Sequence, residues 1–161
     1  MQFFRRVCPE LIRSGFLVAA AWLLMTLTAM ADTPILSAPE AQAKLAAGDM
    51  VLLDIRSPQE WRETGLAEGA WPVSMHAPDF GARLQAILKE VPADRVGLIC
   101  ATGGRTGHVT NILRQNGIEG VIDVSEGMMG NPRGPGWIAR EMPIVTLEDA
   151  SAAYEAATAE W

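Results

Sequence analysis

Within the stretch Cys100-Ala101-Thr102-Gly103-Gly104-Arg105-Thr106 the chain gathers a thiol, two adjacent glycines and a guanidinium. A thiolate is a strong nucleophile, and nearby N–H groups and the positive end of a helix favour that charged form near neutral pH. Gly103 and Gly104 permit a tight backbone path that turns N–H groups inward. Arg105 suits an anionic ligand and also the loop's own carbonyls, while the Thr106 hydroxyl is able to bond the thiolate or to cap a helix. Set on a turn that opens a helix, such a loop is a cradle for an anion beside a nucleophile.

The flanking segments supply that setting. Val96-Gly97-Leu98-Ile99 reads as a short buried strand, and Thr106 to Gln115 reads as a helix closed by Asn116-Gly117. Upstream, Ser37 with Glu40 marks the start of a helix ending at Ala47-Gly48, and Met50 to Ile55 is an apolar run suited to a strand buried on both faces. Asp54 and Arg56 fall at that strand's C-terminal end, and Ser57-Pro58-Gln59-Glu60 opens a short helix reaching Thr64, with Gly65 closing it. Gly69 to Met75 is expected as a short connecting strand, and Pro72, which lacks an N–H, points to a sheet edge or a strand start. Asp79 is expected to cap Phe80 to Val91, where Phe80, Leu84, Ile87, Leu88 and Val91 make a core stripe. Val121 to Val124 is another strand, Glu126 to Gly136 a glycine-rich connection, and Trp137 to Glu141 a short helix before Pro143. Alternating strands and helices predict an α/β domain with a mostly parallel sheet, helices on both faces and functional loops at the strands' C-terminal ends.

Residues 1–31 are set apart from that domain. A basic start with Arg5, Arg6 and Arg13 precedes the apolar run Gly15 to Met30, and Ala29-Met30-Ala31 fits a cleavage site. We therefore expect a cleaved signal peptide, a mature start at Asp32 and a periplasmic or secreted protein without membrane attachment; a retained anchor is the alternative. Cleavage takes three Arg and one Glu from 13 basic and 19 acidic residues, moving the formal charge from −6 to −8. Such an acidic chain is not built for nucleic acid. Cleavage also removes Cys8, leaving Cys100 alone and without an internal disulfide partner.

Several of these residues stand in a familiar order, and the chain resembles a single-domain rhodanese. Leu53-Asp54-Ile55-Arg56 with Glu60 is similar to that family's D-x-R…E stretch, and Gly69-Ala70 to its following G-A. Cys100 to Thr106 is similar to its C-x-x-G-x-R-[ST] loop, and Gly136-Trp137…Met142-Pro143-Ile144-Val145 to its closing element. The resemblance implies a three-layer α/β/α domain over residues 32–145, with a central sheet of about five strands, followed by a tail, 146–161, compatible with a loosely packed terminal helix. It implies a sulfurtransferase: Cys100 takes the sulfane sulfur of thiosulfate or a similar donor as a persulfide and passes it to a thiol or cyanide. Ala101, Thr102, Gly103, Gly104, Arg105 and Thr106 would bind the substrate, Asp54, Arg56 and Glu60 would form an ion-pair network supporting the site, and no metal or other cofactor is required. A reducing thiol protein would keep Cys100 reduced outside the cytoplasm.

Bland readings run beside these. A lone cysteine can be buried and inert, Arg105 can be structural, and Asp54, Arg56 and Glu60 are more readily structural than substrate-binding. His76 and His108 lack partners at metal-ligand spacing and read as solvated. Trp71 and Trp137 read as core or pocket wall, and Met128 and Met129 as lining the pocket entrance. Leu66 where the family often has histidine, Glu126-Gly127-Met128 where it has paired glycines, and the lengthened Asn131 to Gly136 depart from the pattern; we expect them near the pocket mouth. The rivals are a persulfide carrier or partner-binding module of the same fold and, more remotely, a phosphatase or arsenate reductase-like enzyme, whose loop is one residue longer between cysteine and arginine than the spacing from Cys100 to Arg105. On the export reading, N-terminal sequencing of the exported protein begins at Asp32; an intact Met1 in the membrane fraction contradicts it.

Overall fold

The computed structural model describes residues 32–161. The expected signal segment, its cleavage after Ala31 and Cys8 lie outside the described residues. Seven strands follow in chain order: β1 (Ile35–Leu36), β2 (Val51–Asp54), β3 (Leu66–Ala67), β4 (Ala70–Pro72), β5 (Val96–Ile99), β6 (Ile122–Val124) and β7 (Ile144–Val145). Five of them form an all-parallel sheet in the order β1-β6-β5-β2-β4. The helices are α1 (Ala38–Ala46), α2 (Pro58–Thr64), α3 (Phe80–Glu90), α4 (Gly104–Gln115), α5 (Gly136–Ala139) and α6 (Leu147–Thr158). The expected α/β architecture, with a central five-stranded parallel sheet flanked by helices, is present.

The apolar strand runs are explained by burial on both faces. Leu52 packs with Ala38 and Ala41 of α1 and Trp137 of α5, whereas its neighbour Leu53 packs with Leu84 and Ile87 of α3 and Val109 of α4. Successive strand residues point to opposite faces, so a strand covered on both sides is apolar throughout. β2 leads to β4 on one side and β5 leads to β6 on the other, so the chain diverges between the C-terminal ends of β2 and β5. That is the crevice where open α/β sheets bind ligands.

Local signals place most helix ends. The Glu40 carboxylate accepts from the Ser37 N–H at 2.8 Å, and that of Glu60 from the Ser57 N–H at 2.9 Å, so both capping boxes form. Asp79 departs from expectation: it precedes α3 without a side-chain cap, because its φ of −94° and ψ of 4° are not the extended geometry that aims a capping oxygen back at the helix. Helix α4 starts at Gly104 rather than Thr106. The two-residue strands β1, β3 and β7 were not anticipated, and β3 and β7 form their own antiparallel pair.

The segment after Val145 is more than a loose tail. Thr146 accepts from the Asp149 N–H at 3.2 Å to start α6, whose Ala150 is buried with Trp61 and Leu66. The Tyr154 ring lies 5.3 Å from that of Trp71, on edge strand β4, and under the Arg83 guanidinium at 5.0 Å; Trp161 reaches Trp71 at 5.6 Å. Covering the edge strand blocks pairing with another chain. Among the described residues no helix is long and apolar enough to cross a membrane. We predict that Tyr154→Ala costs about 1–2 kcal/mol and that limited proteolysis then cuts within residues 147–161 before the sheet unfolds; coincident loss of both signals argues against separate undocking of α6.

Candidate active site

Cys100 leaves β5 on the face shared by Val96 and Leu98 and is fully buried. The Ile55 N–H donates to the Ile99 carbonyl at 2.9 Å, holding the ends of β2 and β5 in register up to the cysteine. The Cys100 Sγ accepts from the Gly103 N–H at 3.2 Å and lies 3.8 Å from Thr106 Oγ1. Gly103 has φ +81°, and a Cβ on it would fall 2.0 Å from the Ser125 carbonyl oxygen, so no side chain fits there. Gly104 differs: a Cβ there would meet nothing within 4 Å.

Gly103, not Thr106, occupies the cap position of α4. Thr106 sits buried in the first turn, and its hydroxyl donates to the Gly103 carbonyl at 2.9 Å. The same hydroxyl lies 3.8 Å from the Cys100 sulfur, where either atom can be the donor. Ala101 is half-buried and Thr102 exposed on the outer side of the loop.

The expected single network of Asp54, Arg56 and Glu60 is instead two separate pairs. The Arg56 Nη2 lies 2.7 Å from Asp54 Oδ2 with both side chains buried, and Arg56 also donates to Thr64 Oγ1 and to the Gly65 carbonyl. This tie joins the end of β2 to the end of α2. Glu60 turns the other way and receives both terminal nitrogens of Arg105, at 2.5 and 2.8 Å. The Arg105 guanidinium holds the Glu60 carboxyl down to about 2, and Glu60 raises the Arg105 pKa against the opposing effect of burial. His76 is exposed, as expected, and its Nε2 lies 3.4 Å from Arg105 Nη1. His108 is exposed on α4.

The connection after β6 wraps the loop from outside. Met128 and Met129 donate their N–H groups to the carbonyls of Cys100 and Ala101, both at 2.8 Å, and Asn131 Nδ2 donates to that of Thr102 at 2.9 Å. Met128 is fully buried in the core rather than at an entrance, because its N–H must reach Cys100 from behind; Met129 is 55 % exposed. Leu66 also lies away from the mouth, buried with Trp61. Glu126 is buried too, beneath the segment it begins, where its carboxylate accepts from Arg140 and from the Gly136 N–H. Burial pushes its pKa up, but those donors outweigh burial and hold it below the ordinary value.

Asp123 lies inside the apolar run Val121 to Val124, which reads in the sequence as a strand alone. It is buried on β6 opposite Leu98, one carboxylate oxygen has no partner, and burial pushes its pKa up against the Thr106 hydroxyl and the Arg133 charge. Among the described residues no group of three or more His, Cys, Asp or Glu is placed to hold a metal ion. A groove of about 740 Å³ between α2 and the β7–α6 segment contains none of residues 100–106.

A parallel α/β sheet with a buried cysteine under a helix N-terminus, at the divergence of two strands, defines a cysteine-loop domain of the doubly wound class. The model of the rhodanese-like domain family matches residues 37–130, and the chain belongs to that family. No curated protein matches the sequence. Among solved structures, the rhodanese-like domain of an Anabaena protein has a TM-score of 0.55 at 21 % identity, over 73 % of this chain and 82 % of that one. The polysulfide-sulfur transferase homodimer of Wolinella succinogenes has a TM-score of 0.51 at 23 % identity, over 82 % and 92 %. Both are likenesses of fold.

The Glu60 carboxyl is more acidic in the folded chain than the ordinary 4.5, so its contribution to stability is full above about pH 4.5 and is lost as pH falls toward 2. Glu60→Gln keeps a residue able to complete the capping box but removes the charge. Its pair is half-exposed, so the variant should lose about 1 kcal/mol at neutral pH and show a shallower decline than wild type between pH 4.5 and 2. Parallel acid-unfolding curves for the two proteins contradict the assigned pair.

Proposed function

We propose that the protein is a sulfurtransferase that moves a sulfane sulfur from thiosulfate or a similar donor to a thiol or cyanide through a Cys100 persulfide. The observation that carries this reading is the Gly103 N–H directed at the Cys100 sulfur from 3.2 Å, at the N-terminus of α4, in a chain of the rhodanese-like domain family. The donor and the helix end favour negative charge on sulfur, which both the thiolate and the persulfide carry.

In the first step the Cys100 thiolate attacks the outer sulfur of thiosulfate. A bond forms between the two sulfurs, the bond to the sulfonate sulfur breaks, and sulfite leaves with that electron pair. In the second step an acceptor thiolate or cyanide attacks the terminal sulfur, and the Cys100 thiolate leaves, giving an acceptor persulfide or thiocyanate. No external oxidant or reductant enters, and no cofactor is needed for either displacement. Ala101 to Thr106 provide the backbone cradle, Arg105 braced by Glu60 presents positive charge to an arriving anion, and Asp54 with Arg56 fixes the floor of the crevice. The proposal includes export to the periplasm or beyond, supported by the basic and then apolar start and by Ala29-Met30-Ala31, and a reducing thiol protein there.

A carrier that relays persulfide sulfur between proteins is the second reading. It uses the same Cys100 loop and differs from the first reading only in the donor and acceptor. The loop length disfavours phosphoryl transfer, since the four residues between Cys100 and Arg105 make a smaller cradle than the five of the phosphatase loop. Incubation with thiosulfate should add one sulfur mass to the intact protein, absent in Cys100→Ser, and cyanide should then release thiocyanate catalytically. Loading from a protein persulfide without turnover of cyanide selects the carrier. No sulfur uptake from any sulfane donor, with hydrolysis of aryl phosphates instead, overturns both.

A further inference from the structure

The segment from Glu126 to Gly136 is longer than a link from β6 to α5 requires, and one of its side chains reaches the reactive loop. Asn131 Nδ2 donates to the carbonyls of Thr102, at 2.9 Å, and Ser125, at 2.6 Å. Its Oδ1 accepts from the Arg133 N–H at 2.7 Å. Two donated bonds and one accepted bond settle which way the amide faces, since reversing it would set an oxygen against two carbonyls. The residue is itself fixed, because its backbone exchanges hydrogen bonds with Gly134 at 2.8 and 3.0 Å. Below it, Glu126 anchors the segment through Gly136 and Arg140.

The carbonyl of Thr102 and the N–H of Gly103 belong to one peptide group. In a planar trans peptide the two point in opposite directions, so holding the oxygen aims the hydrogen. That hydrogen is the one directed at Cys100 Sγ. A bond accepted by the carbonyl also polarises the peptide and strengthens the N–H as a donor. Gly103 makes the approach possible, since a Cβ there would lie 3.1 Å from Asn131 Nδ2 as well as clashing with Ser125.

We propose that Asn131 is a positioning residue for the anion cradle: it orients and polarises the Thr102–Gly103 peptide so that its N–H stabilises negative charge on the Cys100 sulfur. The extension of this role to the persulfide rests on the sulfurtransferase reading; the effect on the thiolate does not. Asn131 lies just past the residues matched by the family model, 37–130, in the lengthened stretch of this chain.

The test separates charge stabilisation from simple bracing. Alkylation of Cys100 by iodoacetamide is followed by mass mapping of its peptide, at neutral pH and at a pH high enough to ionise the thiol fully. The high-pH rate reports access alone, and the ratio of the two rates reports the thiolate present at neutrality. Asn131→Ala should lower that ratio about tenfold, below the 10²–10³ typical for removing an oxyanion donor outright, because the donor remains but loses its aim. Asn131→Asp, which sets a carboxylate against two carbonyls, should lower it further, and Asn131→Gln should recover part of it. A brace alone predicts a lower melting temperature, faster alkylation at both pH values and an unchanged ratio, and that result overturns the proposal. Should the variants fold poorly, wild-type NMR decides: the Gly103 amide and the Asn131 side-chain amide should shift with one midpoint as Cys100 ionises, and a stationary Asn131 signal overturns it. A chain that takes up no sulfur yet shows the lowered ratio loses the sulfurtransferase reading and keeps this one.

Discussion

A sulfur atom hidden from water can carry charge only if the protein supplies what water would have supplied. Cys100 is fully buried, so its charge depends on donors fixed in place before any reaction. One such donor is the Gly103 N–H, and its position follows from backbone geometry rather than from a side chain. The constraint spreads outward from there. Gly103 must take a left-handed conformation with no Cβ, because the Ser125 carbonyl fills the space a Cβ would need. Ser125 stands there because β6 lies beside β5 in the sheet, with Gly97 opposite Ile122 and Leu98 opposite Asp123. The register of two strands thereby decides the conformation of one glycine, and that glycine decides what the sulfur meets.

Electrostatics divide the labour between two ion pairs of different burial. Asp54 and Arg56 are both buried, and their remaining hydrogen-bonding capacity goes to Thr64 and Gly65, so neither charge is left exposed to an apolar interior. A buried pair satisfied in this way is a rigid tie, and losing either partner would strand the other. Glu60 and Arg105 are about 30 % exposed, and Glu60 also completes the capping box of α2. One carboxylate therefore joins the start of a helix near β2 to the loop after β5, across 45 positions of sequence. Glu60 partly balances the Arg105 charge, and the neighbouring Cys100 adds to the effect of Glu60 in raising the Arg105 pKa.

Local chemistry made much of this readable from the chain. Ser57-Pro58-Gln59-Glu60 marks a helix start because the interaction closes within one turn, and Val96 to Ile99 reads as a buried strand because both faces are covered. The spacing of Cys100, Gly103 and Arg105 was legible for the same reason: a loop–helix junction is built from neighbours. What escaped was long-range. Two-residue strands such as β3 and β7 have no periodicity to detect, and their pairing of Leu66 with Val145 spans the domain. The partner of Glu60 was misassigned because Arg56 is nearer in sequence, while Arg105 is nearer in space. Met128 looked like a loop residue, but its backbone bond to Cys100 pulls the side chain into the core. Asn131 carried no local signal, since an asparagine followed by proline in a glycine-rich stretch reads as an ordinary turn.

Glu126 shows how the chain holds this segment against the Cys100 loop. A buried carboxylate is unfavourable unless its oxygens find donors. Arg140 and the Gly136 N–H provide them, and Gly134 provides the room: a Cβ on Gly134 would fall 2.3 Å from the carboxyl carbon. Glutamate, arginine and glycine therefore form a unit in which each depends on the other two. That unit closes the segment at both ends, since Glu126 precedes the turn and Gly136 and Arg140 follow it. Closing a loop of this length costs little more entropy than closing a shorter one. Anchored in this way, the segment carries Asn131 over the outer side of the loop to the carbonyl of Thr102.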